Sequence, residues 1–183
     1  MTYKAASRQI AVGDHASRRP RHGADDRHTG PSRFACVDDG DVALRNLTYR
    51  LLVDLGHAPT ANEVAAALAT RVEDVCAGWE RLHREHALVL QDDLREIRMA
   101  APFSAIPTAY KVFVNDRWWH ANCAWDAFGI CAALHSDGTI ATSCADCGEQ
   151  ITIEVHGAEP DDTTLLFHCL VPAINWWDDI VFT

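Results

Sequence analysis

What the chain lacks narrows it first. None of its 183 residues falls in a run approaching the roughly 20 apolar positions needed to span a bilayer, so no membrane partner is expected. The N-terminus has no continuous apolar core of a secretory signal, because Arg8, Asp14, Arg18 and Arg19 interrupt it. The cytoplasm is the expected compartment. Cysteines do not come in an even number: there are seven, Cys36, Cys76, Cys123, Cys131, Cys144, Cys147 and Cys169, which does not suit a secreted disulfide scaffold. No second CxxC and no HxxxH pair accompanies Cys144–Cys147, so the four-ligand signature of a structural zinc is missing. Positive charge is scarce outside the first 33 residues. That segment holds seven Lys/Arg against three Asp, about +4, and subtracting it from the total of −10 leaves −14 for the rest. An acidic body repels phosphate backbones and argues against a nucleic-acid partner. Internal repeats are absent as well.

What is present divides into three stretches. Residues 1–35, rich in Arg, His, Gly, Asp and Ser without apolar periodicity, read as a disordered basic tail. Residues 36–98 read as a winged-helix-like module of three helices. Val42, Leu44, Leu47, Leu51, Leu52 and Leu55 make an apolar stripe that stops at Gly56 and Pro59. Thr60-Ala-Asn-Glu63 and Thr70-Arg-Val-Glu73 have the spacing of capping boxes opening the second and third helices, and Ala87–Leu90 looks strand-like. The third helix mixes Arg71, Arg81 and Arg84 with Glu73, Asp74, Glu80 and Glu85, which favours a structural role over reading DNA.

Residues 99–183 read as an α+β region, a small mixed or antiparallel sheet with a buried cysteine-bearing helix over Cys123–Leu134. Strands are expected at Ala109–Val114, Ile140–Ser143, Ile151–Val155 and Thr164–Val171, and something new begins at Trp176-Trp177. Five of the seven cysteines fall between 123 and 169, and Trp118, Trp119, Trp125, Trp176 and Trp177 surround them. Such indoles usually pack a core, but they can also wall a pocket for an apolar organic group.

Two cysteine motifs can carry chemistry. Cys123 and Asp126, three apart on a helix, share a face one turn apart, so a soft nucleophile sits beside an acid/base group. A neighbouring carboxylate alone would raise the thiol pKa, and only N-terminal helix N–H groups could offset that. Spacing by itself favours the plainer reading, a core cysteine with a first-turn aspartate. Cys144-Ala-Asp-Cys147-Gly148 is a knuckle that can bring two sulfurs to one ion; a packing role ranks ahead of structural zinc there, and zinc ahead of redox exchange.

Taken together, the order of these motifs resembles the alkylmercury (organomercurial) lyase family over roughly residues 40–183. The elements that carry the likeness are Trp119-x-x-x-Cys123-Ala-Trp-Asp126-Ala-Phe-Gly129, Ser143-Cys144, Val171-Pro172 and Trp176-Trp177-Asp-Asp-Ile-Val-Phe182-Thr183. The resemblance implies an enzyme that cleaves carbon–mercury bonds in organomercurial small molecules without a resident cofactor. It makes Cys123 the first thiolate on mercury and Asp126 the carboxylate that shuttles the proton and can touch the metal. Cys144 matches a cysteine usually regarded as structural. The implied bound product is Hg(II), and cytosolic thiols or a mercuric reductase are its implied acceptors. The family's second mercury-binding cysteine follows a segment that here ends at Thr183, so the resemblance implies a catalytic region incomplete at its C-terminus. Cys169 lies on the preceding segment and substitutes only if it reaches the same ion. A non-catalytic binder of Hg, Zn or Cu, or a metal-sensing winged-helix regulator, is the alternative reading.

Overall fold

The computed structural model describes residues 38–181 apart from His168 and Leu170. The tail expected over residues 1–35, and Cys36 with it, lies outside the described residues. Three helices come first: α1 (Asp39–Leu55), α2 (Ala61–Leu68) and α3 (Val72–Arg84). Asp38 starts α1 by accepting the Asp41 N–H at 2.7 Å, and Gly56 ends it at φ 80°, donating its own N–H to Leu52. Thr60 and Glu63 form the capping box expected at the start of α2.

The start of α3 differs from expectation. Arg71, not Thr70, is the N-cap, without a side-chain cap bond; Thr70 instead donates to Asp74 on the following turn. The α1 stripe also turns out differently. Its buried face is Asp41, Leu44, Thr48 and Leu52, a 3–4 spacing that leaves Val42 and Leu55 exposed. Two of those four are polar, and α3 satisfies both. Arg81 donates two bonds to Asp41, at 2.7 and 2.8 Å, and the Trp79 indole donates to Thr48 at 3.0 Å. Gly78 permits the close crossing, since a Cβ there would collide with Leu44.

Two antiparallel sheets follow. The first has the order β1-β2-β3, from Val89–Leu90, Ile97–Ala100 and Phe103–Ser104. The second has the order β5-β4-β6-β7-β8. Its strands are β4 (Lys111–Val114), β5 (Arg117–His120), β6 (Gly138–Ser143), β7 (Gln150–His156) and β8 (Glu159–Pro160). Asn115 and Asp116, at φ 54° and 60°, make the tight two-residue turn between β4 and β5. A bridge from Phe103 to Ala121 links the sheets, and one apolar core runs from α1 through Ile153.

Helix α4 (Ala124–Ala133) packs across β4 and β6. It is only half buried, which corrects the expectation of a buried helix. Ala127, Ile130 and Cys131 face the sheet, while Trp125 is 68% exposed and Phe128 37%. A helix lying on one face of a sheet needs a single apolar stripe, and the apolar residues beyond that stripe face outward.

The strand expected over Thr164–Val171 is not formed by any of its described residues. The reason lies at the sheet edge. Asp161 bonds both polar groups of Glu154 on β7, its side chain accepting the N–H at 3.0 Å and its own N–H donating to the carbonyl at 2.9 Å. Past that point the chain leaves the sheet and reaches a 3₁₀ helix (Ala173–Asp178), where Trp177 stacks on His86 with ring centroids 4.1 Å apart.

Candidate functional site

The exit from β5 is held from several sides before the chain turns into α4. Ala121 donates its N–H to Tyr110, its carbonyl accepts the Thr108 hydroxyl at 2.7 Å, and His120 accepts the Thr108 N–H. Asn122 and Cys123 therefore follow from a fixed point. Cys123 is the N-cap of α4, in extended conformation at φ −148°. It stands just outside the first turn, not within it, yet Asp126 on that turn is its immediate neighbour.

The sulfur makes no full cap hydrogen bond, although the N–H groups of Asp126 and Trp125 favour its thiolate. Burial outweighs them and pushes the Cys123 thiol up, and the negative charges of Asp126 and Cys169 add to that rise. Asp126 is shifted the same way. Burial raises its carboxyl, against an opposing hydrogen bond of 2.9 Å from the Asn122 amide. Both groups thus hold their protons more tightly than they would in water.

Asn122 was not evident from sequence. Its amide also reaches the carbonyls of Pro102 and Phe103, at 3.4 and 3.5 Å, so it ties the carboxylate to the β2–β3 turn. The Asn122 side-chain oxygen is buried without a protein partner. The i, i+4 spacing of Asn122 and Asp126 was the available signal. Tyr49 had none. It lies on α1, donates its hydroxyl to Ala101 at 3.0 Å and carries Arg45 over its ring at 4.6 Å. Burial raises the Tyr49 pKa most; Arg45 opposes that, and the Asp126 charge adds to it, which places α1 within electrostatic range of the site.

Of the other expected residues, Cys169 is exposed and donates its thiol to the Val171 carbonyl at 2.8 Å, an oxygen shared with the Trp176 indole. Its charge bears on Cys123, so the fold brings the two sulfurs into electrostatic reach of each other. Cys131 is buried against the sheet. The tryptophans do not act as one wall: Trp119 is buried beside Phe103, Trp118 is 56% exposed, and Trp125 lines a different cleft. That cleft, about 730 Å³ between α4 and the β7–β8 turn, includes Phe128, Cys131 and His135 but neither Cys123 nor Asp126.

At the far end of β6 the Cys144–Cys147 knuckle closes through bonds from Cys144 N–H to Glu149 and from Gly148 N–H to Cys144. The Cys144 thiol is pulled below its usual range by the N–H groups of Cys147 and Asp146 and by the Cys147 thiol. Among the described residues, no three His, Cys, Asp or Glu side chains gather as a metal-binding group.

A half-buried thiol at a helix start, a carboxyl one turn on and a second thiol within electrostatic reach make up the candidate site. Residues 103–183 match the family model described as alkylmercury lyase. The matched stretch is rather less than half of the chain and is similar to that family. The fold is similar to that in the crystal structure of the mercury-bound form of MerB2, with a TM-score of 0.59 and 24% identity. The likeness covers 72% of this chain and 63% of that one, so this chain spans less than two thirds of its length. No curated protein matches the chain.

Proposed function

We propose that this protein cleaves carbon–mercury bonds by thiolate attack and protonolysis, using Cys123, Asp126 and Cys169. One observation carries the reading: a thiol and a protonation-prone carboxyl stand together at the start of α4, within electrostatic reach of a second thiol. Mercury(II) is soft, and thiolates are its preferred ligands. An organomercury cation entering the site exchanges the Cys123 proton for a sulfur–mercury bond, which removes the cost of a buried thiolate. Cys169 forms the second sulfur–mercury bond and gives up its proton. The mercury–carbon bond then breaks with its electron pair on carbon, and carbon takes the proton held by Asp126. A thiol proton restores the carboxyl. The products are a hydrocarbon and Hg(II) held by two sulfurs, with no change in oxidation state.

Burial suits Asp126 to this task, because a carboxyl that keeps its proton longer is a donor at higher pH. Cytosolic thiols or a mercuric reductase are the acceptors expected for the Hg(II). The three-helix module, read as winged-helix-like over residues 36–98, has a structural role in this scheme. Arg81 of its third helix and Arg71 at that helix's N-cap are engaged by Asp41 and Asp74, and the body is acidic, neither of which favours a phosphate backbone.

Release of benzene from phenylmercury with excess thiol tests the proposal. Cys123→Ser and Asp126→Ala each abolish release while the circular dichroism spectrum is kept. Full release by either variant overturns the assignment. Tight Hg(II) binding by the wild-type chain with no benzene would establish the non-catalytic binder instead.

A further inference from the structure

A second pair of sulfurs stands apart from this site and shares the same end of the sheet. Lys111 on β4 pairs with His120 on one side and with Ala141 on the other, so β5 and β6 pass the same end of β4 together. Cys123 lies three residues beyond His120, and Cys144 three residues beyond Ala141. With one strand between them, the two exits are about 10 Å apart across the ladder.

The knuckle is built before any ion arrives. Cys144 N–H to Glu149 at 2.8 Å and Gly148 N–H to Cys144 at 2.9 Å close the turn, and Gly148 takes the φ of 73° it needs. The short turn sets Cys147 three residues from Cys144, and interaction between the two thiols helps hold the Cys144 thiol below its usual range. The backbone N–H groups of Cys147 and Asp146 favour the Cys144 thiolate. Cys147 is exposed and Cys144 half exposed, so the pair is open to solvent. No third or fourth ligand accompanies them among the described residues, which suits a two-coordinate soft ion and not tetrahedral zinc.

We propose that Cys144 and Cys147 form a second Hg(II) site, a two-thiolate clip on the β6–β7 turn that binds independently of Cys123. Two sulfur–mercury bonds form, two thiol protons pass to water, and the two ligands that carried the ion leave. A preformed pair of sulfurs loses less freedom on binding than two separate thiols do, so the clip competes with free monothiols for the ion. Its place near Cys123 puts a receiving pair beside the proposed source of Hg(II); binding at the clip itself does not depend on turnover.

The test uses the full chain carrying Cys36→Ser, Cys123→Ser and Cys169→Ser, which leaves only the clip among exposed thiols. Native mass spectrometry with one equivalent of Hg(II) and excess glutathione is expected to show one retained ion. Adding Cys147→Ser, an exposed position outside the core, is expected to weaken retention at least about 100-fold, the scale of losing one chelating arm. Absence of a retained ion in the first variant overturns the proposal, as does equal retention in the second. Benzene release by the otherwise wild-type Cys147→Ser chain is expected to be unchanged in the first turnover, so failure of the clip and failure of the lyase reading are separable.

Discussion

Asp126 concentrates the conflict between stability and chemistry in a single carboxyl. Its folded-state pKa is raised, so the folded chain holds this proton more tightly than the unfolded chain does. Stability from this group is therefore largest below the unfolded pKa, and is lost as pH rises through the folded one. Asp126→Asn keeps the shape and the contact with Asn122 but removes the titration. The variant should unfold at a higher temperature than wild type at neutral pH, with the difference shrinking in acid, while benzene release is lost. Equal melting points at both pH values would show that burial of the charge costs nothing. Cys123 and Asp126 could be picked out from sequence by family pattern, though not by spacing, because helix position alone leaves their surroundings open. Asn122 and Tyr49 supply those surroundings from one residue upstream and from a helix over 70 residues away. Local periodicity contains no information about the second.

Local chemistry was legible in the elements where no neighbouring group competed for the cap. The Thr60–Glu63 box and the Gly56 stop are of that kind, and both form as expected. Thr60→Ala should lower stability by about 1 kcal/mol, read from denaturant midpoints at constant slope. Thr70→Ala should cost less, because Thr70 is not the cap of its helix. Where competition from elsewhere decides the outcome, pattern fails. Thr70 and Thr60 have the same spacing to a glutamate, yet Asp74 takes the Thr70 hydroxyl and the Arg71 guanidinium. Thr164–Val171 has strand-like composition, but Asp161 has already bonded the edge of β7.

At the scale of the molecule, the helices and the sheets are joined by a few polar contacts laid over a continuous core. Arg117 on β5 reaches the Val53 and Asp54 carbonyls at 3.1 and 3.2 Å, the negative end of α1, and Tyr49 reaches Ala101. Arg117→Ala should therefore cost about 0.3–1 kcal/mol at this exposed helix end and lower the midpoint of thermal unfolding by up to ~4 °C. A single transition is expected in both chains, since the core joins α1–α3 to the larger sheet. Two separate transitions would mean that the three-helix module unfolds alone. The α+β class was accessible from sequence because three helices precede most of the strands. The joint between them was not, because Arg117 and α1 meet across more than 60 residues.

The seat of Cys131 has a further consequence under the proposed function. Gly138 has no side chain where one would press within 2.9 Å of the Cys131 sulfur, and Val114 closes the same spot. That thiol and Cys76 are sealed in the core, each made harder to ionise by burial. Little of either sulfur's residue surface is open to a thiophilic ion, although Cys131 borders the cleft beside α4. The fold therefore sorts its own sulfurs by exposure, with Cys147 and Cys169 at the surface and Cys76 and Cys131 in the interior.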